Sequence, residues 1–399
     1  MQKSLDTKIA DILAHPSTSK AFIIADAKDA DMALGITAPG HKRPQNPERV
    51  VKSEIHWKTL EEYRQQIRDV IKQGLIDIML CSASNIEQLA IREKLFANSH
   101  ITPAARANDT TDIWVVRGGQ YVAEPSRPFR SATIDHIRCG EIDCEPDAPA
   151  LGADLGLYSV TFTNDLQRDY ETLAEFKEFR EEAERKSFRY FLEVFDPNVD
   201  AGIPPEKLPS FINDHIIRSL AGVTQKGRPL FLKIVYHGPR AMEELAAYDP
   251  QMVVGILGGS AGTTYDAFKL IAEAQKYGAR VALYGRKINY SEHPLSFIEM
   301  LRRIVEHQIT PEEAVRAYHD ILEKMKITPH RPFAEDMQLT AGAMSYGGTG
   351  GGGTVISTGS GSTAKTEAKK SVPDKAPAPG ALSDRVQQQL KRLQDRLGS

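Results

Sequence analysis

Eight short runs rich in Ile, Val, Leu and Phe recur along the first 290 residues, and longer segments with helical spacing separate them. The runs are Ala21–Asp26, Ile76–Ser82, Ile101–Ala107, Leu155–Thr161, Phe188–Phe195, Pro229–Tyr236, Met252–Leu257 and Arg280–Tyr284. Apolar runs of this length alternating with amphipathic helices are the mark of parallel βα units, and eight such units close into a barrel. Between them, Thr59–Gln73, Tyr170–Glu184 and Tyr265–Tyr277 repeat apolar residues at three- and four-residue steps, as helices packed outside a barrel do. Gly74, Gly227 and Gly278 stand between a helical stretch and a strand, where a residue able to take positive φ ends a helix.

The expected fold class is therefore α/β, a (β/α)8 TIM barrel over residues 1–335, with an insertion after the third strand and a disordered C-terminal tail. The interval 108–153 is long and rich in proline for a plain connection, and strand-like runs at Ile113–Arg117 and Ser131–Ile137 suggest an inserted hairpin or cap. Residues 336–381 are dominated by Gly, Ser, Thr, Pro and Ala, a low-complexity linker that buries too little apolar surface to offset its ordering entropy. The final stretch, 382–399, places Leu382, Val386, Leu390, Leu393 and Leu397 on one side of a short amphipathic helix.

A net charge of -3 gives no global attraction to polyanions, so nucleic acid is not an expected partner. No stretch approaches the roughly 18 apolar residues of a membrane-spanning helix, and the N-terminus has no apolar signal core. Cys81, Cys139 and Cys144 fit neither a disulfide framework nor a zinc motif, and read as reduced thiols of a cytoplasmic protein. Self-association into a homo-oligomer is expected only as the habit of such barrels.

The active site of a parallel barrel lies at the C-terminal ends of its strands, so the residues there carry the chemistry. Lys233 sits within the apolar run PLFLKIVYHG, where its ammonium is desolvated or points into the lumen. A desolvated lysine supplies the free amine that attacks a carbonyl to form an imine. Glu193 on the neighbouring strand is the natural partner, either as a structural ion pair or as a proton carrier. After the seventh run, Gly258, Gly259 and Ser260 form a loop whose amides can approach an anion, and Thr263 or Thr264 caps the following helix. Gly285 and Arg286 end the eighth run and offer close approach and a planar fork to phosphate oxygens.

In the first run, Asp26 is a candidate proton carrier and Lys28 a candidate substrate contact, while Asp29 and Asp31 just beyond would suit a divalent cation. Arg106, near the end of the third run, is a further candidate phosphate ligand; Arg106, Asn108 and Asp109 also read as hydrogen-bonded strand ends. No HExxH pair occurs, and neither a metal nor a cofactor is expected.

A lysine midway along the sixth strand, a GG loop after the seventh and a Gly-Arg pair after the eighth resemble the deoxyribose-phosphate aldolase / archaeal-type fructose-bisphosphate aldolase superfamily. The resemblance is firmest over 229–290. It implies a class I lyase in which Lys233 forms the imine, Gly258, Gly259, Gly285 and Arg286 bind substrate phosphate, and Asp26 assists. Lys287 stands where that family commonly carries asparagine. The expected activity is aldol cleavage of a phosphorylated keto sugar. The alternatives are a non-catalytic sugar-phosphate-binding barrel and a metal-dependent lyase or transaldolase-like enzyme.

Overall fold

The computed structural model describes residues 1–42, 56–145, 148–259 and 262–340. Eight parallel strands close into a barrel in chain order: β1 (Ile23–Lys28), β2 (Ile78–Cys81), β3 (Thr102–Arg106), β4 (Leu155–Thr161), β5 (Arg189–Phe195), β6 (Leu232–Ile234), β7 (Val254–Leu257) and β8 (Val281–Tyr284). β8 pairs back onto β1, with Ile23 opposite Val281 and Asp26 opposite Tyr284. All eight strands coincide with the apolar runs of the sequence.

Because side chains alternate across a strand, the barrel has two separate apolar layers. Ile23, Ala25, Ile78, Leu80, Leu157 and Phe191 point inward and form one buried cluster. Helix α1 (Ser4–Ala14) adds Leu5, Ile9 and Ile12 to this cluster, which plugs the N-terminal end of the lumen. The other parity, including Ile24, Met79, Tyr158, Leu192, Ile234 and Tyr284, packs outward against the helices. The main outer helices are α2 (Leu60–Gln73), α3 (Leu166–Arg185), α4 (Leu208–Ala221), α5 (Pro239–Tyr248), α6 (Thr264–Lys276), α7 (Arg286–Tyr290), α8 (Pro294–Val305) and α9 (Pro311–Lys324).

Helix α2 starts with a capping box between Thr59 and Glu62 and stops at Gly74, whose φ of 74° lets the chain turn into β2. Gly278 takes positive φ as well, but Gly227 does not: it belongs to a 3-10 turn, and its carbonyl accepts a hydrogen bond from the Tyr190 hydroxyl at 2.7 Å.

The insertion after β3 does hold a hairpin, but its strands are two-residue pieces, Asp109–Thr110 and Pro128–Phe129. The expected strand Ile113–Arg117 is a turn and coil, and Ser131–Ile137 runs into the helix Ile134–Cys139. That helix has the signals of its type: Thr133 accepts from the His136 amide at its start and Gly140 is left-handed at its end. Cys139 and Cys144 are joined in a disulfide across this turn, contrary to the expectation of free thiols, because helix end and loop bring two cysteines five residues apart together. Cys81 is free and buried.

Residues 336–340, assigned from composition to a linker, are hydrogen-bonded to the start of α6. The remainder of the expected linker and the expected C-terminal helix lie outside the described residues. No helix among the described residues is long and apolar enough to cross a membrane.

Asp77, at the start of β2, ties the lower end of the barrel together. Its carboxylate accepts from the Ser4 hydroxyl at 2.7 Å, the Ile24 amide at 2.9 Å, Lys8 at 2.7 Å and Arg302 of α8 at 2.7 Å. Burial by itself would raise this carboxyl's pKa, but Arg302 and Lys8 hold it below the ordinary 3.8. The contribution is present above pH 3.8 and is lost as pH falls through the depressed folded-state value. Asp77→Asn is expected to destabilise the fold by about 3 kcal/mol at neutral pH. Urea denaturation should show the gap to wild type closing below pH 4; a gap independent of pH would mean the charge is not what matters.

Candidate functional site

The inward parity of β4, β5 and β6 puts Ser159, Glu193 and Lys233 side by side at one level of the lumen, since Ser159 pairs with Glu193 and Glu193 with Lys233 in register. The next strand supplies Gly255 at that level, so no side chain crowds the lysine from β7. A Cβ there would meet the Leu232 carbonyl and the Val281 side chain at 2.7 Å.

Lys233 Nζ lies 2.5 Å from Glu193 Oε1, and both side chains are buried. The other oxygen of Glu193 accepts from Ser159 Oγ at 2.7 Å and faces Arg106 Nη2 at 3.4 Å. Arg106 reaches up from β3 and also donates to Asp29 Oδ2 at 2.6 Å and Ser159 Oγ at 3.0 Å. The result is a buried line of alternating charge, Asp29, Arg106, Glu193, Lys233. Burial would lower the Arg106 pKa, but Asp29 and Glu193 reverse the effect and hold it above the ordinary value.

These four residues form the polar floor of a cavity of about 140 Å³ at the C-terminal mouth. Gly258, Gly259, Gly285 and Arg286 line it from the β7 and β8 loops. The Arg286 guanidinium, half-buried, has no hydrogen bond or ion pair among the described residues, and burial lowers its pKa. A desolvated cation left unpaired at a cavity wall suits an anionic ligand. Gly259 adopts φ 59° with open space around it, and Gly258 lies so close to the Tyr284 ring that a Cβ would meet it at 2.2 Å. Ser260 lies outside the described residues.

Two of the sequence candidates are elsewhere. Asp26 and Lys28 have the outward parity of β1 and pair with each other at 3.4 Å beneath the helix layer, where Lys28 also donates to Asn289 of α7 at 3.2 Å. Burial raises the Asp26 pKa, and neither of its oxygens has a hydrogen bond. Asp29, one turn of chain later, is the first-strand carboxylate that reaches the cavity. His237 binds Asp196 at 2.9 Å and does not line it. The aspartates after β1 are likewise dispersed, with Asp31 accepting from Ser82 and Asn85. Among the described residues no three His, Cys, Asp or Glu side chains converge as metal ligands.

The start of α6 also differs from expectation. Thr263 caps it, but the Thr263 amide donates to Asp266 at 2.8 Å and the Thr264 amide to Asp336 at 2.7 Å. A helix N-terminus attracts carboxylates as readily as phosphate, and here the chain's own carboxylates occupy it. Lys287 closes the arrangement by donating to the carbonyls of Gly262 at 2.7 Å and Thr263 at 3.0 Å.

An archaeal fructose 1,6-bisphosphate aldolase superposes with a TM-score of 0.51 at 13% identity, covering 75% of this chain and 98% of its own. A Schiff-base-forming fructose-1,6-bisphosphate aldolase gives 0.51 at 16% identity, over 76% of this chain and 100% of its own. A third, an archaeal enzyme with its catalytic lysine covalently bound to a carbinolamine intermediate, gives 0.51 at 14% identity, over 75% and 99%. The barrel shares its fold with the Schiff-base aldolases. No protein-family model and no curated sequence matches the chain.

Within this barrel, the residues that sequence reasoning missed are Asp29 as a cavity residue and Ser159 as the link between Arg106 and Glu193. Parity singles out Ser159, two residues beyond the inward Leu157; for Asp29, in a stretch with polar residues on both parities, the sequence carries no such signal.

Burial, and then nearby Arg331, press the Lys287 ammonium down to about 8, against the pull of Asp266 and Asp336. Between pH 8 and the unfolded value of 10.5 the unfolded chain holds a proton that the folded chain has released, so stability rises with pH over this window. Urea midpoints of wild type and Lys287→Met should therefore diverge in favour of wild type from pH 8 to 10. Parallel curves would show that the amine is not buried as described.

Proposed function

We propose that the chain is an enzyme, an aldolase-type lyase that acts on a phosphorylated keto sugar through a Schiff base on Lys233. The observation that carries this reading is the Lys233–Glu193 contact of 2.5 Å on the floor of a cavity that also presents Arg286, which has no ion-pair partner among the described residues.

Glu193 accepts a proton from the Lys233 ammonium and leaves the free amine to attack the ketone carbon. The carbinolamine then loses its hydroxyl as water, with Glu193 returning the proton, and an iminium forms. When the carbon–carbon bond breaks, its electron pair moves into the iminium and gives the enamine. The β-hydroxyl proton passes to Asp29, and the aldehyde half departs. Protonation of the enamine carbon and addition of water release the ketone and restore the amine. Arg106 neutralises the two carboxylates between which it lies and holds both in place. Arg286, beside the open space at Gly259, is the assigned phosphate contact.

The fold shared with Schiff-base aldolases supports this reading, as does the dispersal of the first-loop aspartates, which disfavours the metal-dependent alternative. Incubation with dihydroxyacetone phosphate followed by borohydride reduction should give one adduct by intact mass, absent from Lys233→Ala. Failure of every carbonyl compound to form an adduct, or an adduct persisting in the variant, would refute the assignment. For cleavage, Asp29→Asn is expected to lower the rate by about 100-fold or more, whereas Asp26→Asn should change it by less than about threefold, because Asp26 faces the helices. The reverse order would return the proton transfer to Asp26.

A further inference from the structure

The polar groups of the cavity are almost wholly committed to one another. Arg106 spends its donors on Asp29, Ser159 and Glu193, and Glu193 spends its oxygens on Ser159, Arg106 and Lys233. Among the described residues this leaves three side-chain groups for a ligand: the Lys233 amine, the second oxygen of Asp29 and the Arg286 guanidinium. Among the described residues the rest of the wall is apolar, built by Leu34, Ile113, Val115, Phe195, Leu257 and Leu283. Val115 is fixed in this position by its amide, which donates to the Ala33 carbonyl at 2.9 Å.

Charge gives a second constraint. Asp29, Arg106, Glu193 and Lys233 cancel in pairs, so among the described residues Arg286 is the one charge at the cavity without an ion-pair partner. A substrate with two phosphate ends would bury one of them without a cation among the described residues.

Resting on the Schiff-base reading above, we infer that the substrate is a short β-hydroxy ketone with a single anionic end and few hydroxyls. Each surviving group has one counterpart in such a molecule. Lys233 takes the ketone, Asp29 the β-hydroxyl whose proton the reaction removes, and Arg286 the phosphate. Additional hydroxyls would face Leu, Val and Phe side chains, and a buried hydroxyl without a partner is strongly disfavoured. Val115 from the inserted segment and Leu34 from the short helix after β1 are the specificity-determining residues, since they line the same cavity as Lys233 with apolar side chains.

The test is borohydride trapping, at equal and limiting concentration, with hydroxyacetone phosphate, dihydroxyacetone phosphate and fructose 1,6-bisphosphate, on wild type, Lys233→Ala and Val115→Asn. Wild type is expected to yield about tenfold more adduct with hydroxyacetone phosphate than with fructose 1,6-bisphosphate. Val115→Asn, which keeps the backbone hydrogen bond, should narrow that ratio by raising the yield with the hydroxylated ketones. Equal or greater trapping of fructose 1,6-bisphosphate by wild type would overturn the substrate inference while leaving imine chemistry intact. An absence of Lys233-dependent adduct with all three would instead remove the Schiff-base reading, and this inference with it.

Discussion

Strand parity is the constraint on which the rest of this molecule depends. Closing eight parallel strands leaves each side chain only two destinations, the lumen or the helix layer, and a shift of one residue exchanges them. On β5 and β6 the parity that buries Phe191 and Phe231 in the lumen also carries Glu193 and Lys233 there, two residues further towards the mouth. On β1 the same rule sends Ala25 inward and Asp26 outward, so a carboxylate at the right height on the right strand is still excluded from the site. The cavity is thus the upper continuation of the apolar lumen, in which the last inward position of several strands is charged.

Charges in such a position are tolerated only as a connected set. A lone buried lysine or glutamate would lose its proton or gain one rather than remain ionised, and removing one partner from a buried pair is far more damaging than replacing both. Arg106 is the centre of the set because a guanidinium can donate in several directions within one plane, which a lysine cannot. It satisfies Asp29 and Glu193 at once and leaves each carboxylate with a fixed orientation. That role also explains why Arg106 is not free for phosphate, although its type and position suggested it. Arg286, half-buried and outside the set, keeps the capacity that Arg106 has lost.

The barrel was legible because its signal is repeated: eight apolar runs with helical segments between them, and positive-φ glycines after two of those helices at Gly74 and Gly278, agree on one answer. The Lys233 and Glu193 juxtaposition was legible for a related reason, since each interrupts an apolar run whose parity its neighbours reveal. The first strand offered no such help. In ADAKDAD polar residues occupy both parities, so nothing in the sequence says whether Asp26 or Asp29 turns inward. The insertion was legible as an insertion but not in its elements, because Thr133 to Gly140 carries helix-capping signals within a segment too short to show a period. Contacts between residues distant in sequence, such as Asp336 with the Thr264 amide, leave no local trace at all.

That last contact has a consequence for how this barrel can hold an anion. Parallel barrels commonly place phosphate against amides after strands seven and eight and at a helix N-terminus. Here Asp266 and Asp336 already hold the Thr263 and Thr264 amides, and Thr340 donates back to Asp266, so the start of α6 is neutralised from within the chain. Lys287, by gripping the Gly262 and Thr263 carbonyls, fixes the same turn from the β8 side. A phosphate arriving at this mouth meets a helix start whose charge is spent, and the attraction that remains among the described residues comes chiefly from the side chain of Arg286. Recognition by one guanidinium rather than by a helix terminus favours a single, planar, bidentate contact, which agrees with a cavity whose remaining charge among the described residues is that of one arginine.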